Sequence, residues 1–183
     1  TPDSFHADSR VEGIENAVEK ATSMFEEGAE WIDIGGESTR PGAVEVSQEE
    51  EARRVIPIIE AVRDELPEAG ISIDSRREYV ARMALDAGAD MVNDVSSLGD
   101  SRMADLIVEA ECPICLMHMK GLPSNMQENP TYGDVLEEVR NDLISTSRRL
   151  IERGVEPSNV IVDPGIGFGK LLEHNISLLS SGR

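Results

Sequence analysis

The sequence is poor in lysine, aromatic residues and cysteine, and it contains no long hydrophobic run. Of its 17 basic residues only three are lysines, Lys20, Lys120 and Lys170, and aromatic residues make up 3% of the chain. The core must therefore be mainly aliphatic. No apolar run approaches the ~18 residues that a membrane helix needs, and no basic, apolar leader opens the chain. We therefore predict a cytoplasmic protein with no membrane partner.

Positive charge is also scarce. The chain has 36 acidic and 17 basic residues, which gives a net charge of −19. A surface this acidic repels phosphate backbones and anionic lipid, so nucleic acid is excluded as an expected partner. The acidic residues are spread along the chain rather than gathered in a tail, which argues against a disordered acidic arm. An acidic, lysine-poor composition is typical of halophiles, and we predict a halophilic source.

The two cysteines, Cys112 and Cys115, form a C-x-x-C spacing. In redox proteins such a pair lies where a strand gives way to a helix N-terminus that stabilises the thiolate. Here the pair enters an apolar run that is typical of a strand, and no second pair completes a zinc site. We therefore predict that both cysteines are structural.

Short aliphatic runs alternate with longer stretches of helical periodicity along the chain. Each stretch has apolar residues at steps of three and four, which predicts a helix. Gly28, Gly88 and Gly154 each stand where one helix should end, just before the next strand. Strands each followed by a helix predict a parallel sheet, either doubly wound or part of a (β/α)₈ barrel. The strands are expected near residues 31–34, 71–74, 91–93, 114–117 and 160–163.

Two helix starts have the sequence of a capping box. Ser47 with Glu50 marks the second helix, and Ser75 with Glu78 marks the third. In a capping box the hydroxyl accepts from the backbone N–H three residues later. We predict this bond at both sites.

Nearly every predicted strand ends in a polar residue. Any one aspartate there could be only the N-cap of the following helix. In a barrel, however, the C-terminal ends of all the strands meet at one face, where their side chains can form a site. The series therefore favours a barrel and predicts a functional site at that face. Its members are Asp33, Asp74, Asn93 with Asp94, His118 and Asp163.

Three loop segments have compositions typical of binding loops: TPDSF at 1–5, GGESTRPGA at 35–43 and DPGIGFGK at 163–170. Arg40 in the second segment is suited to pairing with phosphate or carboxylate. The third segment fits neither common nucleotide-binding pattern. Lys170 stands where G-x-G-x-x-G needs glycine, and Leu171 stands where the P-loop needs Ser or Thr. On its own, this segment predicts only that the backbone approaches another group closely.

Together these segments resemble the dihydropteroate synthase family. The matching pieces, in order, are TPDSF, WIDIGGESTRPGA, ISIDS, MVNDVS, ICLMHMKGLPSNMQENPTY and VIVDPGIGFGK followed by His174-Asn175. The resemblance implies an α/β fold of the (β/α)₈ TIM-barrel family. We expect one partial barrel domain over residues 1–183, with five parallel strands that correspond to strands two to six. The chain begins at Thr1, and we predict a fragment that lacks the first strand and the last part of the barrel.

The resemblance also implies an activity. Enzymes of the family are transferases of folate biosynthesis and sulfonamide targets. They condense 6-hydroxymethyl-7,8-dihydropterin diphosphate with 4-aminobenzoate to give 7,8-dihydropteroate and diphosphate. Residue by residue, it implies catalytic roles for Arg40, Asp74 and Asp163. It implies pterin binding by Thr39, Asp74, Asn93, Met117 and Asp163, and 4-aminobenzoate binding by Asp3, Phe5, Arg40, Pro41 and Phe168.

The resemblance further implies Mg²⁺, which helps to bind the diphosphate, and a homodimer. The asparagine ligand of Mg²⁺ is expected to precede Thr1, so we expect no metal ligand in this chain. The Lys, Arg and His that hold diphosphate are expected beyond Arg183. One segment departs from the family, because His6-Ala7-Asp8-Ser9 replaces the usual Ser-Asp-Gly-Gly. Closure of the first loop is therefore expected to differ.

Two other functions fit part of the pattern. A pterin-dependent methyltransferase that uses methyltetrahydrofolate would share the barrel and the pterin-facing Asp and Asn, but it would lack TPDSF and ESTRPGA. A non-catalytic pterin-binding module would bind pterin without turnover. An assay of methyl transfer separates the first from the synthase, and an assay of turnover separates the second.

Overall fold

The structure is a computed structural model that describes residues 13–39 and 44–181. Asp3, Phe5, Arg40 and Pro41 therefore lie outside the described residues. In the described ranges, strands and helices alternate along the chain, with a short 3₁₀ helix at Pro157–Asn159. The strands are β1 (Trp31–Gly35), β2 (Gly70–Asp74), β3 (Met91–Asp94), β4 (Ile114–Met117) and β5 (Val160–Asp163). The helices are α1 (Ile14–Glu26), α2 (Gln48–Glu65), α3 (Glu78–Asp86), α4 (Met103–Ala110), α5 (Val135–Ile151) and α6 (Leu172–Ser181).

The strands form one parallel sheet in the order β1-β2-β3-β4-β5. A doubly wound sheet reverses its strand order at a switch point, whereas a barrel wall adds each strand beside the last. Sequential order without reversal is therefore the arrangement of a barrel wall. The predicted five-stranded segment of a (β/α)₈ barrel is confirmed. No helix in the described ranges is long and apolar enough to cross a membrane.

The helix ends follow local sequence signals. Gly28, Gly88 and Gly154 have φ of 103°, 109° and 102°, and each donates its N–H to the closing turn of the preceding helix. Such positive φ values favour glycine, which has no Cβ. The predicted glycine junctions are therefore confirmed.

The two predicted capping boxes have different outcomes. Ser47 Oγ accepts from Glu50 N at 3.2 Å, as predicted. The prediction for Ser75 was wrong, because its hydroxyl accepts from Arg77 N, one residue before α3 begins. The N–H of Glu78 donates instead to the Asp100 carboxylate at 3.1 Å. The acceptor at this helix start comes from 22 residues further along the chain, out of reach of a local pattern.

The two faces of the sheet differ sharply. On the helix-covered face, Ile71, Ile73, Val92, Ile114 and Leu116 are all 0% exposed. Successive side chains of a strand point to opposite faces, so the residues between these five point the other way. That opposite face, which we call the open face, includes Trp31 and Ile161, each 46% exposed. The helix-covered face therefore carries the main core.

The cysteines take up different positions in this arrangement. Cys112 is buried just before β4, and Cys115 lies within β4 and is half-buried; both are free thiols. Burial, together with the nearby carboxylates of Asp163 and Asp33, raises the pKa of Cys115 to about 11. Reactive cysteines need a lowered pKa. This environment fits the structural role predicted for the pair.

Candidate active site

The strand register brings the predicted pterin residues onto the open face. Asp74 pairs with Asn93 across β2 and β3, and Asn93 pairs with Cys115 on β4. Met117, two residues after Cys115 on β4, pairs with Asp163 at the C-terminal end of β5. Partners in a parallel ladder and residues two apart on a strand share a face. Asp74, Asn93 and Asp163 therefore lie on one face, near the C-terminal ends of their strands.

Asp33 joins this group. It faces Ser72, whose hydroxyl donates to Asp33 Oδ1 at 2.5 Å, and the Asn93 amide donates to Asp33 Oδ2 at 3.3 Å. The strand continues past Asp33 to Gly35, so Asp33 is not a strand end as predicted. On the open face, Asp33 lies level with Ser72, which is two residues before Asp74 on β2. The sequence analysis placed Asp33 in the polar series of the site but assigned it no ligand.

The carboxylates on this face oppose one another. Burial, followed by the charges of Asp33 and Glu51, raises the pKa of Asp74 well above its usual range. Burial also raises the pKa of Asp33, against the lowering effect of the hydrogen bonds from Ser72 and Asn93. Two acids that face one space ionise less easily than either would alone. A ligand that presents N–H donors to them would relieve this repulsion.

Two members of the predicted polar series do not belong to the site. Asp94 is 0% exposed on the helix-covered face, where its carboxylate accepts from the N–H groups of Ser96 and Leu98. His118 is also buried there, with Nε2 3.5 Å from Asp142 on α5. Convergence of the whole series was therefore a wrong prediction. Neighbouring strand residues alternate between faces, so Asn93 and Asp94 cannot both face the site.

The glycine-rich loop that follows β5 packs tightly against the loop after β4. A Cβ on Gly165 would lie 2.0 Å from the His118 carbonyl oxygen, and one on Gly169 would lie 2.6 Å from that of Lys120. Both glycines have positive φ, at 66° and 59°. The predicted close approach of the backbone is therefore to the protein's own neighbouring loop. The Asp163 carboxylate accepts from Gly165 N at 2.7 Å, which also ties the site to this loop.

Lys170 fixes the end of the same loop from inside. Its ammonium group is buried and donates to the carbonyl oxygens of His118, Gly165 and Phe168 at 3.1, 2.9 and 2.9 Å. His118 Nδ1 lies 3.0 Å from the same nitrogen. Burial lowers the pKa of Lys170 to about 8. The sequence analysis assigned this lysine no role, since one of its partners, His118, comes from the loop after β4.

The pocket residues predicted from the resemblance have different surroundings. Met117 is 4% exposed and lies against Gly165. Phe168 is half-buried in the glycine-rich loop, and Thr39 is half-buried in the segment after β1. Asp3, Phe5, Arg40 and Pro41 are outside the described ranges, so their predicted roles stay predictions.

The described ranges contain no group of three or more His, Cys, Asp or Glu residues placed to hold a metal ion. Mg²⁺ favours octahedral oxygen coordination and is often held by one or two carboxylates together with substrate phosphates. These residues do not form a metal cage of their own.

The chain is similar to a known family, to known proteins and to solved structures. The model of the pterin binding enzyme family matches residues 1–181. The dihydropteroate synthase of Escherichia coli strain K12 is 44% identical over 180 residues, covering 98% of this chain and 64% of that protein. The chain thus spans just under two thirds of the length of this relative.

Solved structures agree with this match. A Yersinia pestis dihydropteroate synthase with a sulfonamide drug complex superimposes with a TM-score of 0.93 at 38% identity, over 98% of this chain and 65% of that one. A Xanthomonas albilineans dihydropteroate synthase in complex with 7,8-dihydropteroate gives a TM-score of 0.82 at 35% identity, over 99% and 63%. The open-face carboxylates thus lie on a backbone shared with these enzymes, and the chain belongs to the pterin binding enzyme family.

Proposed function

We propose that the protein is a dihydropteroate synthase. It would condense 6-hydroxymethyl-7,8-dihydropterin diphosphate with 4-aminobenzoate to form 7,8-dihydropteroate. The observation that carries this proposal is the convergence of Asp74, Asn93 and Asp163 on the open face of a barrel wall. The relatives and structures described above bear the same name and include a complex with 7,8-dihydropteroate. They favour the synthase over the methyltransferase.

The three side chains suit the edge of a pterin ring. A pterin presents an amino group and a ring N–H as donors, with ring nitrogens and a carbonyl as acceptors. Carboxylates accept the donors, and an amide can both donate and accept. We assign pterin binding to Asp74, Asn93 and Asp163, with Met117 beside them. The like charges of Asp33 and Asp74 favour a ligand that brings hydrogen-bond donors into this space.

The second substrate would lie beyond the strand ends. We propose that Thr39 and Phe168 contact the substrates there, together with Asp3, Phe5, Arg40 and Pro41. The chemistry requires departure of diphosphate from the pterin methylene, and then attack by the aniline nitrogen on the cation-like centre. The chain's residues would position both partners and limit access of water to that centre. Sulfonamides, which resemble 4-aminobenzoate, would compete for the same place.

We further propose that Mg²⁺ accompanies the diphosphate. The described residues form no metal cage, so the substrate's phosphate oxygens would supply part of its coordination. We also propose a homodimer in the cytoplasm, with small-molecule substrates and no nucleic-acid partner. The net charge of −19 supports the last point, since it repels phosphate backbones.

The test of the function is the substitution Asp163→Asn in the natural protein that carries this sequence. The change keeps the shape and an oxygen for Gly165 N, but it turns the other oxygen into a donor that faces the pterin's donors. Hydrogen bonds to a charged group contribute ~1.5–3 kcal/mol each, so pterin affinity should fall by about 10- to 100-fold. Calorimetry with 6-hydroxymethylpterin measures it.

The matched control is Asp105→Asn. This aspartate pairs with Arg153 on the outer surface, so the same chemical change should leave pterin affinity unaltered. Wild-type affinity in Asp163→Asn would show that Asp163 serves only to shape its loop. Turnover with methyltetrahydrofolate as methyl donor, and none with 4-aminobenzoate, would establish the methyltransferase instead. Pterin binding with neither turnover would establish the binding module.

A further inference from the structure

The segment after β1 is closed by one buried carboxylate. Glu37 is 8% exposed, and its Oε1 accepts from the backbone N–H of Val46, nine residues later, at 3.1 Å. Glu37 and Val46 lie on either side of the segment that contains Thr39 and Arg40. A single side chain therefore joins the two ends of this segment, which we call the 38–45 loop.

Two arginines from the turn after β2 hold that carboxylate. Arg76 Nε donates to Glu37 Oε2 at 3.0 Å, and Arg77 Nη2 donates to Glu37 Oε1 at 3.0 Å. Arg77 Nη2 also donates to the carbonyl oxygen of Val46 at 2.8 Å. Both arginines bond Glu45 as well, at 2.7 and 3.1 Å. The far end of the 38–45 loop is thereby fixed by the same guanidinium groups as its near end.

The cluster is anchored to the core through α2. Arg77 Nη1 donates to Glu51, which is 1% exposed in the first turns of that helix. Gly36 is pressed against the same helix, since a Cβ there would lie 2.9 Å from the Glu51 carbonyl oxygen. The Arg77 guanidinium thus bonds α2 through Nη1 and the ends of the 38–45 loop through Nη2. A planar guanidinium can bond two sides at once, which suits this geometry better than an ammonium group.

Arg76 and Arg77 follow closely after Asp74, which links the cluster to the proposed pterin site. Asp74 ends β2, and Arg76 and Arg77 follow it by two and three residues. The arginines that hold the ends of the 38–45 loop therefore belong to the same chain segment as Asp74, the strand end proposed to face the pterin. A buried ion-pair network of this kind contributes fixed geometry more reliably than net stability.

We propose that Glu37 and Arg77 are positioning residues that hold the two ends of the 38–45 loop to the turn that follows the pterin-facing end of β2. This rests on the proposed function. Arg77 binds Glu37 before this loop and Glu45 and Val46 at its far end, so both ends are held to the turn that follows β2. The loop includes Thr39 and Arg40, to which we assigned substrate contacts above. Neither Glu37 nor Arg77 needs to touch a substrate for this role. Their loss should therefore act on the aniline substrate more than on the pterin.

The first test is Glu37→Gln. The amide oxygen can still accept from Val46 N, so the fold should survive, but the charge that holds both arginines is lost. KM for 4-aminobenzoate should rise by about 10-fold or more, while affinity for 6-hydroxymethylpterin changes less than about 3-fold. Hydrogen exchange at the Val46 amide should become faster, because local opening becomes easier. A purely structural role would lower Tm without this split between substrates.

The second test uses Arg77→Met and Arg77→Lys. The methionine variant should show the same rise in KM for 4-aminobenzoate, and the lysine variant should fall between it and the wild type. The matched control is Arg82→Met, which removes an arginine from the same region of the fold. Arg82 pairs with Glu78 and Glu109, away from the 38–45 loop, and its loss should leave both substrates unaffected.

The outcomes separate this proposal from the proposed function. If the wild type neither binds 6-hydroxymethylpterin nor makes dihydropteroate, the proposed function fails. If the wild type does both, and Glu37→Gln keeps the wild-type KM for 4-aminobenzoate and the wild-type exchange at Val46, the positioning role is overturned. Equal losses for pterin and 4-aminobenzoate would also overturn it, since they would show a general loss of structure.

Discussion

The two faces of the same five strands have opposite chemistry. On the helix-covered face, β2, β3 and β4 present fully buried Ile, Val and Leu side chains to the helices. On the open face, the sheet presents Asp33, Asp74, Asn93 and Asp163, where burial and the charge of Asp33 raise the pKa of Asp74. The strand pleat makes this division possible, because side chains one residue apart never share an environment.

The comparison indicates how stability and chemistry are divided. Burial of aliphatic side chains contributes about 25 cal/mol per Å² of apolar area, and it comes from the helix-covered face. Crowding carboxylates on the open face works against folding, because burial and like charge both oppose ionisation. Because the carboxylates on the open face do not stabilise the fold, their presence there indicates a role in binding or chemistry. Substitutions on the two faces should therefore have separable effects.

The largest effect is expected from one substitution made on each face. Ile73→Ala removes a side chain that is 0% exposed between β2 and the helices. It should lower the free energy of unfolding by about 2–5 kcal/mol, because it leaves a cavity. Ile161→Ala makes the same change on the open face of β5, the edge strand of the described sheet, where Ile161 is 46% exposed, and should cost less than about 1 kcal/mol. Urea unfolding followed by circular dichroism measures both; equal losses would contradict the division.

A smaller effect, of opposite sign on two measurements, is expected from Asp74→Asn. The folded-state pKa of Asp74 is raised, so the folded protein holds this proton more tightly than the unfolded chain. Stability is therefore lost as pH rises from the unfolded value of 3.8 through the raised pKa. At pH 7 the asparagine variant should have a higher Tm than the wild type, yet bind 6-hydroxymethylpterin about 10- to 100-fold more weakly.

The control for this prediction is the pH profile itself. The Tm difference between Asp74→Asn and wild type should shrink as the pH is lowered, because the wild-type carboxyl then becomes neutral too. A lower Tm for the variant at pH 7 would show that Asp74 stabilises the fold, against the electrostatic argument. Calorimetry and thermal melts on the same samples give both quantities.

The smallest effect is expected from salt. A chain with a net charge of −19 repels itself in dilute buffer, and the screening length falls to ~3 Å at 1 M salt. If the composition reflects a halophilic source, raising KCl from 0.1 to 1 M should increase Tm by about 2–4 °C or more, which corresponds to ~1 kcal/mol. The gain should be smaller in Asp74→Asn. A flat or falling Tm would exclude the halophilic interpretation and leave the enzyme assignment unchanged.

The parts of this molecule that sequence predicts are those set by local pattern. Short aliphatic runs placed all five strands, and the glycine at each of three helix ends was recognised from its position alone. Sequence failed where a partner is distant. Asp100 replaces Ser75 at the start of α3, and the carbonyl partners that hold Lys170 come partly from the loop after β4. A local pattern contains no information about such partners.

The site shows the same limit. Polar residues at strand ends were visible in the sequence, but the face that each one takes depends on where its strand stops. β1 continues for two residues beyond Asp33, to Gly35, so Asp33 lies in the body of the open face, and alternation places Asp94 in the core. The Glu37–Arg77 cluster was missed because an acidic residue in a glycine-rich loop and an arginine after a strand look like ordinary surface charges. Only the folded backbone brings them together.

The contact between Gly165 and the His118 carbonyl has a consequence for inhibitor resistance. Any other residue at position 165 would force two loops apart, since its Cβ would lie 2.0 Å from that oxygen. The wall of the site made by the glycine-rich loop therefore has almost no freedom to change one residue at a time. Resistance to a drug that contacts this loop would therefore have to come from substitutions in other parts of the site, such as the 38–45 loop, whose ends are held by side chains. A compound that draws its affinity from the backbone of residues 165–169 would leave fewer single-substitution routes to resistance than one that depends on that loop.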